Sequence, residues 1–171
     1  DGGDAQTATV APAVTTDPSV LVTDQFGNGI AGETVTFAIT GGGGSVTGAA
    51  QVTDASGIAQ VGSWTLGTGV GANAMSATVA GLTPVTFTAT AAPGAATQLQ
   101  INAGNNQSVL TGTDVPAAVS VVAQDAFGNG VAGVDVVFSV ASGGGSVTGS
   151  SQTTDATGVA TLGSWTVGGA A

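Results

Sequence analysis

The sequence predicts an all-β protein made of two tandem β-sandwiches, the second incomplete at its C-terminal strands. Three observations carry this. Apolar residues alternate with polar ones at period two, no window spaces them at helical intervals, and one long passage occurs twice. Val20–Val70 laid over Val121–Ala171 is identical at 28 of 51 positions without a gap, a register of 101 residues. The expected units are 1–91 and 97–171, joined by a linker at 92–96 that contains Pro93 and Gly94.

The elements follow in order. Val20 with Val22 supplies a first short strand, and Val35, Phe37 and Ile39 share one face of the next while Thr34, Thr36 and Ala38 share the other. Ala59 and Val61 continue the pattern. The period then slips by one at Gly62-Ser63, where a bulge would return Trp64 and Leu66 to the core face. Met75, Ala77 and Val79 alternate, Gly81-Leu82-Thr83-Pro84 intervenes, and Val85, Phe87 and Ala89 resume, which reads as a hairpin. Leu99 with Ile101 opens the second unit. Phe37, Trp64, Phe138 and Trp165 are the expected core anchors.

Composition removes whole classes of function. Lys, Arg, His and Cys are absent and net charge is -10, so nucleic acid and anionic membrane surfaces are excluded as partners, together with thiolate and disulfide chemistry. The apolar runs fall far short of the roughly 18 residues of a membrane-spanning helix. No charged-then-apolar leader opens the chain, which therefore reads as a mature or excised segment. The absence of trypsin-type cleavage sites suits an extracellular location.

The repeated nine residues Asp24-Gln25-Phe26-Gly27-Asn28-Gly29-Ile30-Ala31-Gly32 and Asp125–Gly133 read as a corner, in which glycines take positive φ. Thr53-Asp54-Ala55-Ser56-Gly57 and Thr154–Gly158 read as a second tight turn. This ordered series, D-x-F-G-N-G-x-x-G, G-G-G-S-V-T-G, T-D-A-x-G-x-A and G-S-W-T, resembles the group 1 bacterial immunoglobulin-like domains. The resemblance spans both repeats and implies immunoglobulin-like sandwiches of the kind that build extracellular invasin and intimin stalks. Gly29 and Gly130 stand where that family often has Pro, which is expected to loosen the corner.

Candidate sites are few. With carboxylates and hydroxyls as the only reactive groups, no enzyme is expected. Asp24, Asp54, Asp125 and Asp155 are the candidates for calcium, weighed against capping of turn N–H groups; neither repeat has a D-x-D-x-D-G loop. Gly41–Gly44 and Gly143–Gly145 lack the Lys and the strand-to-helix setting of a phosphate cradle and read as mobile loops. Asn106-Gln107-Ser108 is a glycosylation sequon.

In the register of 101, nothing in the second unit matches 71–101 and nothing in the first matches Leu99–Ile101. The second sandwich is expected to expose Trp165 and to be completed by strand donation or by further repeats. The expected role is structural: an extracellular or cell-surface stalk or filament formed by self-association or as a longer tandem array. The alternative is an adhesin segment that binds a host or glycan ligand through its loops.

Overall fold

The computed structural model describes residues 2–169, which contain strands, turns and no helix. The chain divides into two compact units, Asp1–Ala92 and Pro93–Ala171.

The first unit contains β1 (Gln6–Thr9), β2 (Ser19–Leu21), β3 (Thr34–Gly41), β4 (Ser45–Thr47), β5 (Ala50–Val52), β6 (Ile58–Gln60), β7 (Ser63–Thr65), β8 (Gly71–Thr78) and β9 (Val85–Ala92). One five-stranded sheet runs β1-β9-β8-β3-β5, with β1 parallel to β9 and the other pairs antiparallel. The smaller pairs β2-β6 and β4-β7 complete the sandwich. Because side chains alternate across a strand, Val35, Phe37, Met75, Ala77, Phe87, Ala89 and Ala91 all leave the large sheet on one side. They meet Val20, Val22, Ala59, Val61, Trp64 and Leu66 in a closed core. Phe37 is 1% exposed and Trp64 is 0% exposed.

No bulge forms at Gly62-Ser63. The strand ends at Gln60, and Ser63 starts a new one that pairs with β4 instead of β2. Gly62 N–H donates to the Thr47 carbonyl at 3.0 Å in the step between them. This exchange of partner is what sets Trp64 and Leu66 on the core side, and it requires close approach, since a Cβ on Gly62 would lie 2.8 Å from Thr47 Oγ1.

The second unit contains β10 (Gln98–Ala103), β11 (Ser120–Gln124), β12 (Asp135–Val137), β13 (Gly145–Thr148), β14 (Ser151–Thr153), β15 (Val159–Thr161) and β16 (Ser164–Val167). They pair as β10-β11-β15, β12-β14 and β13-β16. Bonds recur in the register of 101: Leu162 N–H to Val119 O matches Val61 N–H to Pro18 O, and Phe138 N–H to Ser150 O matches Phe37 N–H to Ala49 O. The described strands include no counterpart of the β8-β9 hairpin. Accordingly β12 has three residues where β3 has eight, and 107–110, which match β1, form no strand. Fully buried apolar residues here are Ala123, Val136, Ala160 and Leu162, while Phe138 and Trp165 are only half-buried.

Candidate interaction site

The two repeated turn motifs are built as one lock. In the corner, Gly27 and Gly32 take φ of 85° and 87°, a conformation that disfavours any side chain. Gly29 has a different task. A Cβ there would fall 2.0 Å from the Ser56 carbonyl oxygen of the second turn, and one on Gly130 would fall 2.0 Å from that of Thr157. Val22 N–H donates to Gly57 O at 2.8 Å and Ile30 N–H to Val22 O at 2.9 Å, so strand, corner and turn are stitched together. The glycine at this position is a contact surface between two backbones, which corrects the expectation that it loosens the corner.

Thr53 closes the lock, donating its hydroxyl to Ile30 O at 2.7 Å and accepting Glu33 N–H at 2.9 Å. Thr154 repeats this with Val131 and Val134. Gln6 and Gln107 play a similar part: each amide donates to two carbonyls and accepts one N–H across a ten-residue loop. The recurrence of both pairs 101 residues apart is visible in the sequence, while the bonds they make are not.

The four aspartates occupy the turns as acceptors. Asp24 Oδ1 takes the N–H groups of Phe26 and Asn28 at 2.8 and 2.9 Å, and its Oδ2 takes the Asn28 side chain. Asp54 Oδ1 takes Ser56 and Ile58 N–H, and Asp155 Oδ1 takes Thr157 and Val159 N–H together with the Thr157 hydroxyl. Among the described residues no three acidic side chains gather to hold a metal ion. The Asn28 side chain holds Asp24 below the usual carboxylate range, and the Thr157 hydroxyl does the same for Asp155.

Asp125 goes further. It is 1% exposed, and besides the corner N–H groups and the Asn129 side chain it accepts Gly94 N–H on Oδ2 at 3.0 Å. Burial pushes its carboxyl up, but the donors from Asn129, Gly94 and Phe127 outweigh this and hold it down at about 2. A group depressed in the folded state contributes stability that is complete above its unfolded value of about 3.9 and is lost as pH falls through the folded one. Unfolding free energy should therefore be flat from neutral pH to about 4 and fall as pH approaches about 2, and Asp125→Asn should flatten part of that fall. Chemical denaturation across this range checks it; a loss of stability on raising pH from about 5 to 7 would contradict it.

Within the glycine runs, Gly42, Gly44 and Gly145 lie close against neighbouring backbone. Gly42, Gly43 and Gly44 all have positive φ, and a Cβ on Gly44 would meet Thr65 O at 2.1 Å; Gly145 stands in the same relation to Thr166 O. They join β3 to β4 and lead into β13. Asn106 lies exposed at φ 56°, matching Ala5 at 53°.

Among the described residues, an apolar groove and two exposed corner aromatics stand out. In the second unit Val119, Phe138, Val140, Val147, Leu162 and Trp165 line an apolar groove of about 270 Å³. At the corners, Phe26 is 79% exposed and Phe127 is 51% exposed, so the aromatic residue of the repeated motif faces solvent in both units. The indole N–H groups of Trp64 and Trp165 are buried with no acceptor among the described residues.

No protein-family model matches the chain, and no curated protein matches it by sequence. Among solved structures it is similar to FdeC, an Escherichia coli adhesin, at 23% identity over 97% of this chain and 54% of that one, with a TM-score of 0.54. It is similar to InvD of Yersinia pseudotuberculosis at 25% identity over 96% of this chain and 47% of that one, with a TM-score of 0.52. The chain spans about half the length of each. Its strands, corners and paired sheets have the bacterial immunoglobulin-like fold.

Proposed function

We propose that this chain is a repeat unit of an extracellular stalk or filament, built from stacked immunoglobulin-like domains and completed by strands from a neighbour. The observation that carries this is the pair of like units with unlike cores. The first is closed by β8 and β9 over Phe37 and Trp64; the second presents Phe138 and Trp165 to an open groove. An exposed apolar groove beside unpaired strand edges is a receptor for further β-structure. The likeness to an E. coli adhesin supports a place on the cell surface.

Electron microscopy of native material, with mass measured before and after full denaturation, tests the reading. Filaments that dissociate into chains of this length support strand donation, and covalent beaded rods support a tandem stalk. Isolated compact monomers with a buried Trp165 would overturn both. A direct check on the groove is to append a copy of residues 71–92 after Ala171, where the register continues without a gap. The expected outcome is a blue shift of Trp165 emission in a Trp64→Phe background and a higher unfolding midpoint for the second unit.

The exposed phenylalanines favour a second reading, an adhesin segment that contacts a host or glycan ligand through its corners, because a solvent-facing aromatic repeated in both units offers a stacking surface. Glycan-array binding lost in Phe26→Ala with Phe127→Ala, at unchanged stability, would establish it.

A further inference from the structure

Each unit fixes one side of the joint that connects them. Ala92 closes β9, pairing with Thr9, and its carbonyl accepts Val10 N–H at 2.9 Å, so the peptide plane between Ala92 and Pro93 is held by the first unit. Gly94 N–H donates to Asp125 Oδ2 at 3.0 Å, so the next peptide plane is held by the second. Between the two planes lies Pro93 alone. Its ring fixes φ, and the one soft backbone torsion left in the joint is the ψ of Pro93.

The segment beyond Gly94 is held at its ends. Ala95 and Ala96 stand exposed, and the next bond is Thr97 N–H to Gln124 O at 2.8 Å, where β10 settles on β11. Without the bond to Asp125, both torsions of Gly94, Ala95 and Ala96 would join that of Pro93, and glycine is the most permissive residue a joint can contain. Space is not what the site asks of Gly94, since a Cβ there would meet Asp125 Cβ at an ordinary 3.7 Å. Its N–H is what the site uses. Asp125 is the one buried carboxylate among the described residues, and the chain has no Lys, Arg or His to neutralise it. Its Oδ1 is met by Phe127 and Asn129 N–H at 2.9 Å each, and its Oδ2 by the Asn129 side chain and Gly94 N–H. A buried charge that loses a donor is costly, so the need of the carboxylate keeps the segment in place.

We infer that Asp125 is a latch on the joint: by holding Gly94 N–H it shortens the connection between the units to one residue, Pro93, and turns the tether 93–96 into a stiff link. The corner motif thus has a positioning role beyond capping its own turn, exerted on a segment 31 residues away. Domains joined by a free tether reorient by default, and the latch limits that motion whether or not the chain assembles further.

The test uses the whole 171-residue chain, whose lack of Cys allows one spin label in each unit through Ala55→Cys and Ala156→Cys, two exposed turn residues. Pulsed electron–electron resonance should give a narrow distance distribution. Asp125→Asn keeps an Oδ1 for the Phe127 and Asn129 N–H groups but sets an amide N–H against Gly94, and its distribution should widen toward that of a chain with two glycines inserted between Ala92 and Pro93. Amide exchange at Gly94 should speed up by about tenfold or more in the same variant, as expected for a lost bond to a charged acceptor. Slow exchange retained at Ala123, whose N–H donates to Gly158 O, shows that the second unit is still folded. Where it is not, Gly94→Pro removes the donor and leaves Asp125 to its corner, and the distribution must again widen or shift. A broad distribution in the unaltered chain would overturn the inference. So would a folded Asp125→Asn variant as narrow as the parent, even with fast exchange at Gly94, and so would a Gly94→Pro distribution unchanged in mean and width.

Discussion

Trp64→Ala should remove a large share of the first unit's stability, while Trp165→Ala, the same substitution at the matching position of the second, should cost far less. Truncating a fully buried aromatic in a core that cannot collapse costs about 3–5 kcal/mol, a large share of the roughly 5–15 kcal/mol that holds a domain folded. Trp64 is 0% exposed between Leu66, Val46 and the large sheet, whereas Trp165 stands half-buried at the rim of a groove that already lacks one wall. Its removal enlarges an open space instead of creating a closed cavity, and about 1–2 kcal/mol is expected. Calorimetry of the two variants measures both losses in one chain. Equal losses would mean that the second core is as closed as the first, and the argument for completion by a neighbour would fall.

The second large effect belongs to a residue with no side chain. Gly29→Ala and Gly130→Ala each put a methyl group 2.0 Å from a carbonyl oxygen, so corner and turn must separate. Separation strains the Val22–Gly57 and Ile30–Val22 hydrogen bonds along with the Thr53 bridge. A loss of about 3 kcal/mol or more is expected from overpacking combined with a broken backbone network. Gly27→Ala is the control, since nothing lies within 4 Å of a Cβ there and the cost is only that of its positive φ, about 1 kcal/mol. Urea denaturation of the three variants ranks them; a Gly27 variant weaker than the Gly29 variant would show that turn conformation outweighs contact.

Alternation made the strands legible. It assigned Val35, Phe37, Met75, Ala77, Phe87 and Ala89 to one face, because a period of two fixes which side a residue leaves from. It says nothing about which strand lies alongside, and that is why the change of partner at Gly62 read as a bulge. The corner was legible as a turn from its glycines, but Gly27 and Gly29 look alike in a sequence and differ only in what another segment brings near. Asp125 shows the same limit. Its match with Asp24 suggested a common turn-capping role, which both have; the clamp on Gly94 depends on a residue 31 positions earlier, which the turn motif itself does not contain.

The parallel pairing of β1 with β9 has a mechanical consequence. These strands lie near the two ends of the first unit and run side by side, Gln6 beside Ala89 through Thr9 beside Ala92. Tension drawing the start of β1 and the end of β9 apart slides one strand along the other, so the bonds of the pair share the load and must yield together. Pulled perpendicular, they would open one at a time.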